Sequence, residues 1–194
     1  MVFNSRPDLI NLLKRLTTGM GLLVSAVAIA IQLMGAPPAI ALGGPQPPLS
    51  EPAPSFTLPT NTGEGTVSLS DYQGQWTVVY FYPKDFTPGC TLEARRFQRD
   101  LPQYKSRNTQ VVGISADDVD SHAEFCDSEG LTFPLLADSD GSVSKAYGSW
   151  LGVASLRHTY IIDPDGIMRA RFIGVNPVVH SREVLAQLDD LQQG

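Results

Sequence analysis

The feature that most constrains the fold is a short apolar run followed by a turn-rich segment and an amphipathic stretch. Residues 78–81 are β-branched or aromatic, and prolines, a glycine and polar residues follow up to Cys90. Such a run predicts a buried strand that leads into a loop. Residues 91–104 carry apolar side chains at near-helical spacing, which predicts a helix that Pro102 kinks or ends. A strand, loop and helix in this order favour an α/β domain.

The rest of the chain continues the alternation of strands and helices. The predicted elements are a strand over 111–115, a helix opened by a capping box at Ser121 and Glu124 and closed by Gly130, a short strand over 133–136, a short helix over 142–147, a hairpin of 159–163 with 167–173, and a last helix over 181–191. Alternating elements with a late hairpin predict a central mixed β-sheet with helices on both faces.

Cys90 stands where the loop ends and the predicted helix begins. The partial positive charge and the unpaired N–H groups of a helix N-terminus favour a thiolate, and such settings lower the pKa of a cysteine from about 8.5 into the range of about 3.5 to 7.5. The sequence therefore predicts an activated, nucleophilic thiol. The alternative is that Cys90 is a small buried hydrophobic residue.

The neighbours of Cys90 carry a family resemblance. Pro83, Thr87 and Cys90 form a Pro-x-x-x-Thr-x-x-Cys run, and Arg157 lies far downstream in the segment SLRHTY. This arrangement resembles the active site of the peroxiredoxins. The longer runs FYPKDFTPGCTLE at 81–93 and APSFTL at 53–58 resemble the peroxiredoxin Q, or bacterioferritin comigratory protein, branch. The resemblance covers residues 49–190 and implies a thioredoxin-like fold, in agreement with the mixed sheet.

The resemblance also implies a role for each site residue. Cys90 is the peroxidatic sulfur, Thr87 supplies a hydroxyl to the thiolate and the peroxide, Arg157 supplies a fixed positive charge, and Pro83 shields the pocket from water. Arginine suits its role because it stays protonated and offers a rigid fork of donors. Glu93, in the first helical turn, is expected to cap the helix or orient an arginine. Thr87 as a loop or cap residue and Arg157 as a solvated strand charge are the alternatives.

The second cysteine does not follow the common peroxiredoxin Q pattern, which places a resolving cysteine five positions after the peroxidatic one. This chain has Arg95 there, and Cys126 lies 36 positions after Cys90. That placement resembles thiol peroxidases and some peroxiredoxin Q proteins, and implies a Cys90–Cys126 disulfide formed after Cys90 becomes a sulfenic acid. Because a disulfide needs Cα atoms within about 7 Å, part of a helix is expected to unwind. The alternative is that Cys126 packs beside Phe125 and an external thiol reduces Cys90.

Charge and motifs limit the partners. The chain has a net charge of −6 and its first 41 residues carry +2, so the remainder carries −8, which argues against nucleic acid. We find neither a zinc-ligand spacing nor a Gly-rich phosphate loop, so no metal or cofactor is predicted. The resemblance implies a hydroperoxide substrate, thioredoxin or another dithiol reductant, and a monomer.

Two other functions are also consistent with the sequence. A thiol-disulfide oxidoreductase on the same fold is one, although the sequence has no Cys-x-x-Cys motif. A non-catalytic thioredoxin-like binding module is the other. Rapid loss of peroxide that depends on Cys90 separates the peroxidase from both.

The first 41 residues have the layout of a signal peptide. Lys14 and Arg15 precede an uncharged segment that is apolar over 22–34 and reaches the small-x-small site at Ala39 and Ala41. This pattern predicts cleavage after Ala41 and export, to a periplasm or a thylakoid lumen. An uncleaved membrane anchor is the alternative, because the stretch approaches the roughly 17 to 25 residues that span a bilayer. Residues 42–50 then form a Pro/Gly-rich lead-in, and 51–194 one domain.

Overall fold

The computed structural model describes residues 42–62 and 65–193. The predicted signal peptide over 1–41 lies outside the described residues. None of the helices in the described part of the chain is both long enough and apolar enough to cross a membrane.

The described residues form seven strands, four α-helices and one 3₁₀ helix. In chain order these are β1 (Thr57–Pro59), β2 (Thr66–Ser68), the 3₁₀ helix (Leu69–Tyr72), β3 (Trp76–Phe81), α1 (Pro88–Lys105), β4 (Thr109–Ser115), α2 (Val119–Glu129), β5 (Leu135–Ala137), α3 (Ser142–Ala146), β6 (His158–Ile162), β7 (Met168–Ile173) and α4 (His180–Gln193).

Five of the strands form the central sheet, in the order β5-β4-β3-β6-β7. β3 pairs in parallel with β4, and β4 with β5. β6 is antiparallel to both β3 and β7, which gives the late hairpin. The predicted mixed sheet is therefore confirmed.

β3 is apolar along its whole length because both faces of the sheet are covered. Val78 and Tyr80 point into one core cluster, which also takes residues from α1, α2 and α4. Val79 and Phe81 point into a second cluster, built with α3, the 3₁₀ helix and the β1–β2 hairpin. Helices lie on both faces, as the sequence predicts.

Two local predictions are wrong. The helix does not end at Pro102, because the Ser106 N–H donates to the Pro102 carbonyl oxygen at 3.0 Å and α1 runs to Lys105. The second helix begins at Val119 with Asp118 as its N-cap, whose side chain accepts from the Ser121 N–H at 2.8 Å, so Ser121 is not the cap. Its closure at Gly130 is confirmed by the left-handed φ of 64°.

The lead-in over 42–50 contains neither strand nor helix but lies against the domain. Gly43 has a φ of +94°, and a Cβ there would come within 2.5 Å of the Gly148 carbonyl oxygen. The Ser50 N–H donates to the Met168 carbonyl oxygen at 2.8 Å. The chain thus enters the domain along β7.

Candidate active site

Cys90 lies in the first turn of α1, behind the loop that follows β3. Thr87 is the N-cap, with extended φ and ψ of −78° and 143°, and Pro88 follows it. The Thr87 hydroxyl makes no capping bond and donates to the Lys84 carbonyl oxygen at 2.9 Å. The first-turn N–H groups of Gly89 and Cys90 have no intrahelical acceptor. They provide positive potential where the Cys90 sulfur sits, only 1% exposed.

Arg157 reaches this sulfur from the sheet. It directly precedes β6, which is hydrogen-bonded to β3. Its Nη2 donates to the Cys90 Sγ at 3.3 Å, and its Nη1 donates to the Glu93 carboxylate. A Cβ at position 89 would lie 3.1 Å from Nη2, so Gly89 leaves room for the guanidinium. A fixed positive charge at this distance stabilises a thiolate.

Glu93 lies nearly one turn after Cys90 and is 1% exposed. Burial raises the pKa of its carboxyl from 4.5 to about 7, against the opposing charge and hydrogen bond of Arg157. Its Oε1 has no hydrogen-bond partner within the described residues. Glu93 thus orients Arg157, as expected of an acidic residue in this turn, and it shares the guanidinium charge with the sulfur.

The raised pKa of Glu93 predicts a pH-dependent stability. Between pH 4.5 and about 7 the folded protein holds this proton more tightly than the unfolded chain, so the free energy of unfolding falls as pH rises. The contribution is about 3 kcal/mol across the window. We expect Glu93→Gln to lose this downward slope in urea unfolding of the reduced protein at pH 5, 6, 7 and 8.

The exposed residue Glu124 supplies the control for that comparison. Glu124→Gln is expected to keep the wild-type slope, because it leaves the buried Glu93 carboxyl and its contact with Arg157 in place. Parallel pH profiles for the wild type and Glu93→Gln would contradict the assignment.

Cys126 lies in α2, 6% exposed and a free thiol like Cys90. Both cysteines belong to the same apolar core cluster. Burial raises the pKa of the Cys126 thiol to about 11, although the side chain of Asn61 opposes the shift. In this conformation Cys126 is a protonated thiol, whereas Cys90 lies beside a guanidinium.

The structure brings together three of the residues that the sequence singles out, Cys90, Arg157 and Glu93. Thr87 lies at the start of the same helix, and its hydrogen bond to the sulfur stays a prediction, since its hydroxyl proton is directed to Lys84. Pro83 is half-buried at the beginning of the loop. Its shielding role also stays a prediction.

The sequence reasoning missed a buried polar network beside this site. Asp85, in the active-site loop, contacts Ser121 and His122 of α2. Asp85 lies more than 30 positions from both partners, so no local sequence pattern predicts these contacts.

Fold and site together define a class: a thioredoxin-like α/β domain with an arginine-paired thiol at a helix N-terminus, which is a thiol-dependent peroxidase. The model of the AhpC/TSA family matches residues 49–171. The chain belongs to this family.

Related proteins and solved structures agree with this assignment. Peroxiredoxin Bcp of Xanthomonas campestris is 37% identical over 151 residues, which cover 72% of this chain and 93% of the relative. A cysteine-to-serine mutant of PrxQ from Xylella fastidiosa has a TM-score of 0.72 at 34% identity, covering 77% of this chain and 99% of that one. Both belong to the branch that the sequence resembles, so that resemblance is confirmed.

Solved structures of the Xanthomonas protein add chemical detail. One concerns alkyl peroxide reduction by its bacterioferritin comigratory protein, with a TM-score of 0.65, 32% identity, and coverage of 70% of this chain and 91% of that one. Two mutants of its peroxiredoxin Q replace cysteines that lie 36 positions apart. Each has a TM-score of 0.67 and 31% identity, covering 70% of this chain and 90% or 91% of the other.

Proposed function

We propose that this peroxidase reduces hydrogen peroxide and alkyl hydroperoxides at Cys90 and regenerates the thiol through Cys126. The observation that carries the first step is the 3.3 Å hydrogen bond from Arg157 Nη2 to the Cys90 Sγ at the start of α1. This geometry favours the thiolate and directs cationic and N–H donors to the place where peroxide oxygens arrive.

In the first step the Cys90 thiolate attacks one peroxide oxygen. An S–O bond forms, the O–O bond breaks, and the departing oxygen takes a proton to leave as water or an alcohol. Cys90 is oxidised to a sulfenic acid and the peroxide is reduced by two electrons. Arg157 and the first-turn amides stabilise the charge that moves from sulfur to the leaving oxygen.

In the second step Cys126 attacks the Cys90 sulfenic acid. A disulfide forms and water leaves. The spacing supports this step, because the mutated cysteines of the Xanthomonas protein are also 36 positions apart. Membership of both cysteines in one core cluster supports it too. A dithiol reductant of the thioredoxin type then returns the two thiols by exchange.

We also propose that the chain acts as a monomer outside the cytosol, in a periplasm or a thylakoid lumen. Export rests on the basic, apolar and small-residue pattern of residues 1–41. The monomer rests on the resemblance to peroxiredoxin Q proteins alone.

Peptide mass spectrometry tests the role of Cys126. After one equivalent of hydrogen peroxide, we expect the reduced wild type to yield a peptide crosslinked through Cys90 and Cys126. Cys126→Ser should oxidise at Cys90 in its first turnover and then hold the sulfenic acid, or the sulfinic acid when peroxide is in excess. Because regeneration through the internal disulfide is lost, its steady-state turnover with a dithiol reductant should fall at least about tenfold.

Ser128→Ala provides a matched control, since Ser128 lies on the same helix and is exposed. It is expected to form the crosslink as the wild type does. A wild-type protein that accumulates Cys90 sulfenic or sulfinic acid without a crosslink would show that an external thiol resolves Cys90.

A further inference from the structure

One buried carboxylate ties the active-site loop to the helix that carries Cys126. Asp85 lies between β3 and α1 and is 3% exposed. It accepts hydrogen bonds from the Tyr82 hydroxyl at 2.7 Å and the Ser121 hydroxyl at 2.8 Å, and it lies 2.8 Å from the His122 Nδ1. Ser121 and His122 belong to α2. The side chain therefore joins the loop before Cys90 to the first turns of α2.

Two further contacts hold the same loop in place, one to the connection between β4 and α2 and one to α2 itself. The Asp85 N–H donates to the Asp117 carboxylate at 2.9 Å, and the Ser115 hydroxyl donates to that carboxylate at 2.7 Å. The Phe86 ring meets the Phe125 ring edge-on, with centroids 5.1 Å apart. Phe86 has a φ of 59°, which is unfavourable for a residue with a Cβ, so its conformation depends on the contacts around it.

This arrangement, in which Asp85 and Phe86 hold the Cys90 loop against α2, is suited to peroxide attack, whereas it keeps the Cys126 thiol buried and protonated. It holds Cys90 in the first turn of α1 beside Arg157, and it holds Cys126 in the hydrogen-bonded body of α2, 6% exposed. Burial raises the pKa of the Cys126 thiol to about 11, so the thiol becomes a competent nucleophile when α2 opens to water. When α2 opens, it separates from the loop before Cys90. The hydrogen bonds of Asp85 to α2 oppose this separation.

We propose that Asp85 is a positioning residue that clasps the Cys90 loop to α2, and that release of this clasp sets how fast Cys126 reaches oxidised Cys90. The kinetic part rests on the proposed role of Cys126. The clasp itself concerns the reduced protein and stands on the contacts alone. A slow release prolongs the life of the sulfenic acid, so the clasp also sets how readily excess peroxide converts Cys90 to sulfinic acid.

Asp85→Ala removes all three contacts of the carboxylate, and Asp163→Ala is its control. Asp163 is similarly buried, at 6% exposed, and also has three donors, the N–H groups of Asp165 and Ile167 and the Arg169 side chain. It lies in the β6–β7 turn. Both variants lose a buried acceptor of three hydrogen bonds, so any effect confined to Asp85→Ala is local to the clasp.

The first measurement is amide hydrogen exchange of the reduced proteins. We expect Asp85→Ala to speed exchange about tenfold over residues 83–94 and 119–129, the scale of losing one charge-assisted hydrogen bond. Asp163→Ala should leave these two segments at the wild-type rate. Exchange within twofold of wild type in both segments would overturn the clasp.

The second measurement follows oxidation by rapid quench and mass spectrometry. Asp85→Ala should form the Cys90–Cys126 crosslink about tenfold faster than wild type, and it should yield less sulfinic acid under excess peroxide. A crosslink rate equal to or below that of Asp163→Ala would overturn the kinetic part. A wild type without any crosslink would refute the role of Cys126 and the kinetic part together, while the exchange result still decides the clasp.

Ser121→Ala is a milder variant that tests the same contacts if Asp85→Ala does not fold. It removes one donor to the carboxylate at a half-buried position of α2. We expect the same two changes with smaller size, about threefold, because one neutral donor is lost. Wild-type exchange and crosslinking in this variant, together with loss of folding in Asp85→Ala, would overturn the proposal.

Discussion

Cys90→Ser is expected to lower peroxide consumption by at least about four orders of magnitude, although the protein keeps its second cysteine. The reason lies in the different surroundings of the two sulfurs. Burial raises the pKa of the Cys126 thiol to about 11. At pH 7 the thiolate fraction of such a group is about 10⁻⁴. Because the thiolate is the reacting form, Cys126 cannot replace Cys90 in the folded protein.

The two cysteines differ in reactivity because their surroundings differ. Arg157 donates to Cys90 Sγ. Stopped-flow consumption of hydrogen peroxide by the reduced protein measures the effect, with Cys126→Ser as the control that keeps a normal first turnover. Residual activity in Cys90→Ser above about 0.1% of wild type would assign the reaction to another group, and so would a slow first turnover in Cys126→Ser.

The sequence predicts those features of the site that depend on a local pattern of residues. The β-branched and aromatic run Val78–Phe81 predicts a buried strand, and the turn residues after it place Cys90 at a helix start. Pro88 fits the first helical turn because that position needs no N–H donor. The position of Arg157 beside the sulfur followed from the family resemblance, since no local rule joins residues 67 positions apart.

The elements that the sequence did not predict depend on contacts made after the chain has folded. β1 and β2 have three residues each, too few for an alternating pattern to stand out. Pro102 lies inside α1 on an exposed face, and packing of Leu101 and Tyr104 into the core holds the helix together around it. Tertiary burial here outweighs the local cost of a proline.

The same reasoning explains why the burial of Asp85 and Glu93 is not evident from the sequence. Both are carboxylates in a motif, and a charged residue in a loop or a first helical turn is usually solvated. In the structure each is buried because a partner from elsewhere in the chain reaches it, His122 for Asp85 and Arg157 for Glu93. Sequence alone identifies the residue type, whereas the fold supplies the partner.

Arg157→Met is expected to slow oxidation of Cys90 by about 10² to 10³-fold, the range measured when one donor to a developing charge is removed. Methionine keeps much of the length and apolar stem of the side chain but loses the bond to Sγ. It also leaves the Glu93 carboxyl buried without its cationic partner, which raises the pKa of that carboxyl further because the opposing charge and hydrogen bond of Arg157 are lost. Arg157→Lys should be intermediate, because it restores charge without the fork that serves two acceptors.

The second-order rate constant for oxidation by hydrogen peroxide, measured by stopped flow at fixed pH, gives the readout. Arg169→Met is the matched control, since Arg169 is paired with Asp163 in the β6–β7 hairpin and has no contact with Cys90. The double variant Arg157→Met with Glu93→Gln separates the two roles of the guanidinium. If loss of the donor to sulfur is the cause, the double variant stays as slow as Arg157→Met. If the buried carboxyl is the cause, its removal restores most of the rate, and thiolate stabilisation by Arg157 is refuted.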